Sequence, residues 1–266
     1  MTTPYAALDG LIRVYPAAVP AGAGLVWAHG GAFSRGDLDM PESHEVAQTL
    51  AAAGVTVASV DYRLVGEGCR YPAPSDDMLT AWRWLHEHRD ELEVTHLAIG
   101  GTSAGGNLAA GATLRLLLGE RPGLPLPDLV VLAYPTLHAV QPPTPPELRA
   151  LLDANPIHDR FGDAVQREIY EDFLGGPIED APVAAIPGTA SREQLTGFPP
   201  TLMINDEIDE LRASGEGFAR QLAEAGTTVD VSTSPGTAHG HLNVAGSPQA
   251  AASLARIAAR LTALTR

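Results

Sequence analysis

The sequence predicts an α/β architecture, a mostly parallel central sheet with helices on both faces. Two observations carry this. Short apolar runs alternate with helical patterns along most of the chain, the mark of repeated strand–helix–strand units. The length of 266 residues, 45% hydrophobic and 18% charged, suffices for one sizeable core, so we expect a single domain over 1–266.

Residues 11–15 alternate and read as an early strand, followed by a Pro/Gly/Ala turn over 16–24. The apolar run 24–28 reads as a strand that delivers the chain into His29-Gly30-Gly31-Ala32-Phe33. A helix is expected over 43–53, with Ser43 as its cap and Gly54 as its stop. The β-branched run 55–60 is the next strand and ends on Asp61-Tyr62-Arg63-Leu64. Ser75 is expected to cap a helix over 76–89, with Asp76 and Asp77 favourable to its N-terminal dipole. Residues 94–99 form a buried strand, and the Ala/Leu-rich run 108–118 reads as a helix. A further buried strand spans 129–134 and stops at Pro135. From 138 to about 197 the character changes: Pro142, Pro143, Pro145 and Pro146 cluster, and 164–174 looks like one amphipathic helix. We read 138–188 as an insertion capping the core. Alternation then resumes with a strand over 201–204, a helix over 214–225, a strand over 228–232 and a last helix over 248–264.

Composition excludes several roles. The formal net charge is −15, and all 17 basic residues are Arg. An acidic surface repels phosphate backbones and anionic membranes, so no nucleic acid is expected as a partner. No apolar run reaches the ~20 residues of a membrane span, and no signal peptide is visible at the start. Cys69 is the single cysteine, so no intramolecular disulfide can form and a cytoplasmic location is expected.

The chemistry centres on Gly101-Thr102-Ser103-Ala104-Gly105-Gly106-Asn107, between a strand and a helix. A Ser in such a sharp turn projects its hydroxyl above the strand ends, while small neighbours let backbone come close. Taken alone, the stretch is equally a Gly-rich turn cradling a phosphate. A Ser hydroxyl needs a base within hydrogen-bond reach and a carboxylate to orient that base. Both follow in the order Ser, acid, His, each just after a strand. Asp209 is the expected acid, with Asp206 and Glu207 as rivals; His239 is the expected base, with His241 as its rival. Backbone N–H groups of Gly31, Ala32 and Ala104 are the candidate oxyanion donors. No further Cys/His cluster supports a metal site, and no metal or organic cofactor is expected.

This stretch, with His29-Gly30-Gly31-Ala32-Phe33 and Asp61-Tyr62-Arg63-Leu64 upstream and Asp209-Glu210-Leu211-Arg212 and His239-Gly240 downstream, resembles the hormone-sensitive-lipase-like esterases, whose bacterial members are carboxylesterases. The resemblance implies the α/β-hydrolase fold, a triad of Ser103, Asp209 and His239, and an oxyanion hole from Gly31, Ala32 and Ala104. It also implies that His29 supports its loop rather than acting as base, and that Tyr62, Arg63 and Glu67 hold the neighbouring loop. A homodimer is a further implication. Three positions depart from the pattern. Ala32 stands third in the glycine run, and His241 stands where an aromatic is usual. The chain also opens almost at its first core strand, so cover over the site is expected from a reduced cap at 138–188 or from a second subunit. The expected function is a serine carboxylesterase acting on a small-molecule, short-chain ester. The same triad would serve an amidase, formamidase or lactonase. A non-catalytic small-molecule binder is the reading from another class.

Overall fold

Eight strands form one sheet. They are β1 (Tyr5–Ala7), β2 (Ile12–Tyr15), β3 (Ala23–Ala28), β4 (Val55–Val60), β5 (His96–Thr102), β6 (Leu129–Ala133), β7 (Thr201–Ile208) and β8 (Val229–Ala238). The structure, a computed structural model, describes residues 3–155 and 161–265. The sheet order is β1-β2-β4-β3-β5-β6-β7-β8. Strand β2 runs against β1 and β4; every other neighbouring pair is parallel. Parallel strands need long crossovers, and helices supply them. These are α1 (Pro41–Ala52), α2 (Ala73–Glu87), α3 (Ser103–Leu117), α4 (Pro146–Asp153), α5 (Asp163–Leu174), α6 (Arg192–Leu195), α7 (Arg212–Glu224) and α8 (Pro248–Thr262).

The period of two along each strand splits the core into two layers. Val26, Ala58, Ile99, Val130 and Met203 face one side, where α2, α3 and α7 contribute Trp82, Leu108, Leu114 and Phe218. Leu25, Trp27, Val57, Val131 and Ile204 face the other, against Val46 and Leu50 of α1 and Leu254 and Ile257 of α8. Fully burying each such aliphatic side chain contributes about 1.5–3 kcal/mol. Both faces of β3, β4 and β6 are therefore dry, and parallel pairing through β5 brings their C-terminal ends to one edge.

Two helices begin earlier than expected. Pro41 opens α1 and Pro74 lies in the first turn of α2, where a missing N–H costs nothing. Ser43 and Ser75 consequently lie inside the helices, and their hydroxyls bond sideways, Ser43 with Ser59 (2.8 Å) and Ser75 with Arg115 (2.9 Å). Within 138–188, α5 falls where an amphipathic helix is expected and α4 comes in addition. Leu148 and Leu152 of α4 pack on Ala213 and Ile208. Tyr170 and Phe173 of α5 join the main core, and Phe33 stacks on Phe173 at 4.0 Å. Residues 156–160 of the expected cap lie outside the described residues.

His138, at the start of this stretch, has its Nδ1 2.8 Å from the Ser214 hydroxyl on α7. A Cβ at Gly188 would overlap its ring. Burial, aided by the charge of Arg220, lowers its pKa from 6.5 to about 4. The unfolded chain takes up this proton near pH 6.5 while the folded chain stays neutral. The group's contribution is thus fully present above pH 6.5 and is lost as pH falls toward 4, about 2–3 kcal/mol in all. Urea unfolding at pH 7 and pH 4.5 checks this: His138→Gln should lose less stability between the two pH values than the parent, by about that amount.

Candidate active site

The site is assembled where β5, β7 and β8 end. Strand β5 runs straight into α3, and Ser103 at the junction has φ +49°, a left-handed conformation rare outside glycine. The turn closes because its neighbours are glycines. A Cβ at Gly101 would come within 2.5 Å of the Gly105 carbonyl, and one at Gly105 would run into the Ala28 and His29 carbonyls. Any side chain there would push the elbow away from the strand.

Ser103 Oγ lies 3.0 Å from His239 Nε2, and His239 Nδ1 lies 2.7 Å from Asp209 Oδ2. Asp209 is the first residue beyond β7, and its other oxygen accepts the Leu211 N–H at 3.0 Å. His239 follows β8 directly and precedes Gly240, whose φ of +89° turns the chain away. The rival carboxylates are engaged elsewhere. Glu207 Oε2 accepts the Gly236 N–H at 2.7 Å. Asp206 accepts the Thr237 hydroxyl (2.8 Å) and the Gly240 N–H (2.9 Å). The rival base, His241, is buried and faces Ser253 at 2.8 Å, not Ser103.

Burial, the largest single influence, lowers the pKa of His239, but Asp209 through charge and hydrogen bond, then Asp206 and Glu42, outweigh it. The net shift is upward from 6.5. Asp206, Asp209 and His239 hold ligand-capable atoms within 4.8 Å of one another. Those atoms are already committed to hydrogen bonds with Thr237, Gly240, Leu211 and Ser103, which leaves a cation few free lone pairs.

The loop after β3 lies against Ser103. Gly31 (φ +112°) must be glycine, since a Cβ there would overlap the Arg35 carbonyl. Ala32 and Phe33 also have positive φ, +51° and +62°, so three consecutive residues are wound left-handed. The Ala104 N–H lies in the first turn of α3, where N–H groups have no acceptor within the helix. His29 stacks on Tyr62 at 4.4 Å, and the Tyr62 hydroxyl donates to the His29 and Gly30 carbonyls at 3.1 Å. Arg63 fastens its own segment to α2, with its guanidinium paired to Asp77 at 2.8 Å and its backbone N–H donating to Asp77 Oδ2 at 2.8 Å. Glu67 is exposed, and Arg70 holds the 66–70 loop through the Gly66 and Cys69 carbonyls.

Sequence reasoning missed Glu42. This buried carboxylate accepts the Gly30 N–H at 2.7 Å and the Tyr134 hydroxyl at 2.9 Å, tying the loop after β3 to the end of β6. Burial and then Glu42 hold the Tyr134 phenol well above its usual value, so it remains a donor. Nothing local in Pro41-Glu42-Ser43 signals this role. Phe161 was missed too: it meets His239 edge-on at 4.5 Å. A cavity of about 350 Å³ opens over the hydroxyl, lined by Ser103, His239, Gly31, Ala32, Glu42 and Phe161 among others.

A family profile described as the alpha/beta hydrolase fold matches residues 25–243. The chain is 36% identical to the carboxylesterase NlhH of Mycobacterium tuberculosis over 226 residues, 83% of this chain and 67% of that protein. It is 33% identical to an ethyl acetate hydrolase of Pseudomonas putida over 231 residues, 82% of this chain and 66% of that protein. It therefore spans about two thirds of the length of these relatives. Among solved structures, brefeldin A esterase, a bacterial homologue of human hormone sensitive lipase, superimposes with TM-score 0.82 at 27% identity. That match covers 100% of this chain and 77% of the other. A bacterial heroin esterase gives TM-score 0.80 at 30% identity, covering 99% and 83%.

Proposed function

From its membership of the α/β-hydrolase family, and within it of the hormone-sensitive-lipase-like esterases, we propose that this chain is a serine carboxylesterase for short-chain esters. The observation that supports it most is the unbroken contact from Ser103 Oγ through His239 to Asp209, at 3.0 and 2.7 Å. His239 Nε2 takes the hydroxyl proton as Ser103 Oγ attacks the ester carbonyl carbon. The carbonyl oxygen becomes an oxyanion, held by the N–H groups of Gly31, Ala32 and Ala104. Asp209 keeps the Nδ1–H tautomer and stabilises the imidazolium. The tetrahedral species collapses, the C–O bond to the alcohol breaks, and His239 returns its proton to that oxygen. Water, deprotonated by His239, then releases the carboxylic acid and restores the Ser103 hydroxyl.

The short-chain preference is supported by the small cavity and by the polar groups of Glu42 and Arg35 on its wall, which give a long acyl chain little apolar surface. We assign 138–188 as the cap because Phe161 from that stretch lines the cavity. Among the described residues no helix is long and apolar enough to cross a membrane.

The test is a series of p-nitrophenyl esters from acetate to laurate beside matched anilides and lactones, with mass spectrometry of fluorophosphonate-treated protein. The expected result is a kcat/KM maximum at the shortest acyl groups, slow anilide turnover and a single adduct at Ser103. An adduct-free Ser103 would favour the binder, and faster anilide or lactone turnover would reassign the reaction. The pH profile adds a prediction. His239 must be neutral to accept the proton, and its pKa is raised, so the acid limb of kcat/KM should lie above pH 6.5, the ordinary histidine value.

A further inference from the structure

A second buried Asp–His pair stands beside the first, and the mechanism above does not use it. His241 is 3% exposed, and its Nε2 lies 2.8 Å from the Ser253 hydroxyl on α8. Its Nδ1 stands 2.5 Å from Asp206 Oδ1, so the ring packs directly against that carboxylate. Asp206 is fully buried. Besides His241 it takes the Thr237 hydroxyl (2.8 Å) and the Gly240 N–H (2.9 Å), the two positions that bracket Ala238 and His239. The Tyr134 ring meets both imidazoles edge-on, His239 at 5.2 Å and His241 at 5.3 Å.

Ser253, His241 and Asp206 have the order of a catalytic triad, but they do not form a second hydrolytic centre. Ser253 lies inside α8, where backbone N–H groups are taken up by the helix, so no oxyanion donors face its hydroxyl. What the set does touch is the loop that carries His239.

We propose that Asp206 is a positioning residue for His239, setting both the placement of its loop and the field around its ring, with His241 and Ser253 buttressing Asp206 from α8. This rests on the serine-esterase reading above. The polar and titratable groups facing His239 are Ser103 from α3, Asp209 and Asp206 from β7 and its end, Glu42 from α1 and Tyr134 from the end of β6; His241, from its own loop, packs on Asp206 and on the same Tyr134 ring. Asp209 contacts the ring directly. Asp206 is the second carboxylate, with an oxygen within 4.8 Å of a ring nitrogen. A carboxylate there stabilises the imidazolium that forms during attack. It acts through space and through the Gly240 tether, without touching the substrate.

Three variants test this: Asp206→Asn, Ser253→Ala and Ser253→Thr. Asp206→Asn keeps size and removes charge. Its kcat should fall about tenfold, inside the ~10²-fold that a 1 Å misplacement of a catalytic group costs. KM should hold, and the acid limb of kcat/KM should move to lower pH, because imidazolium loses a stabilising charge. A fall in kcat with the limb unmoved means a merely structural role and overturns the proposal, as does an unchanged kcat. Ser253→Ala removes the far buttress and should lower kcat several-fold, with Ser253→Thr restoring it. If Asp206→Asn fails to fold, this pair decides: full kcat in Ser253→Ala overturns the proposal. Ser103→Ala is run alongside. Turnover within tenfold of the parent there overturns the esterase reading and the positioning role with it, whereas a fixed limb in Asp206→Asn overturns the positioning role alone.

Discussion

Ser103→Ala should lower kcat for p-nitrophenyl acetate by about 10⁶-fold, the scale seen when a serine nucleophile is deleted from a triad. It should leave the fold intact. Among the described residues the Ser103 Oγ bonds His239 Nε2 alone, and His239 borders the cavity, from which water can replace the lost partner. No buried polar atom is orphaned, so the usual penalty for an unsatisfied group does not arise. Alanine takes the φ of +49° at a strain similar to that of serine, so the elbow persists. The residual rate should exceed the water rate by about 10³–10⁴, because the proposed oxyanion donors at Gly31, Ala32 and Ala104 and the binding cavity remain. Active-site titration with a fluorophosphonate should show no burst and no adduct, while the thermal unfolding midpoint matches the parent. Turnover within tenfold of the parent would remove Ser103 from the mechanism.

The parts of the site that are legible in the sequence are those dictated by local backbone demands. Gly101 and Gly105 around Ser103 declare a turn that only glycine can flank, and β6 is an unbroken apolar run because helices cover both its faces. Helix starts are less legible. Ser43 and Ser75 look like caps, yet Pro41 and Pro74 have already opened the helices, and the hydroxyls serve Ser59 and Arg115 instead. The apolar run of β7 stops at Ile204, which is where the sequence alone ends the strand. It continues through Asn205, Asp206 and Glu207, since the strand projects past the apolar core to the catalytic edge, where polar residues belong. That extension places Asp209 just beyond the strand and leaves Asp206 within it. Helix α4 is hidden by its Pro cluster, although Pro146 sits at its start and Leu148 and Leu152 mark one face. Glu42 is not legible at all: its partners Gly30 and Tyr134 lie 12 and 92 residues away, and only the tertiary fold joins them.

Asp209→Asn should lower kcat by about 10⁴ at pH 7, far more than Asp206→Asn, although the two carboxylates approach within 4.8 Å. The difference lies in what each oxygen holds. Asp209 Oδ2 accepts His239 Nδ1–H at 2.7 Å, which leaves Nε2 as the lone-pair nitrogen facing Ser103 at 3.0 Å. An asparagine amide at this position can present N–H instead, and His239 answers by accepting at Nδ1 and carrying its proton on Nε2. The ring then points a proton at the Ser103 hydroxyl and cannot act as base. Asp206 cannot rescue the tautomer, because its oxygens are held by Thr237 and Gly240, which keep it turned toward its own loop. The neutral amide also withdraws the charge that most raises the pKa of His239, so the residual activity should show an acid limb at lower pH than the parent. KM should change little, since Asp209 is 1% exposed and does not line the cavity. Measured kcat values for the two Asn variants decide the order: a larger loss in Asp206→Asn than in Asp209→Asn would make Asp206 the orienting acid.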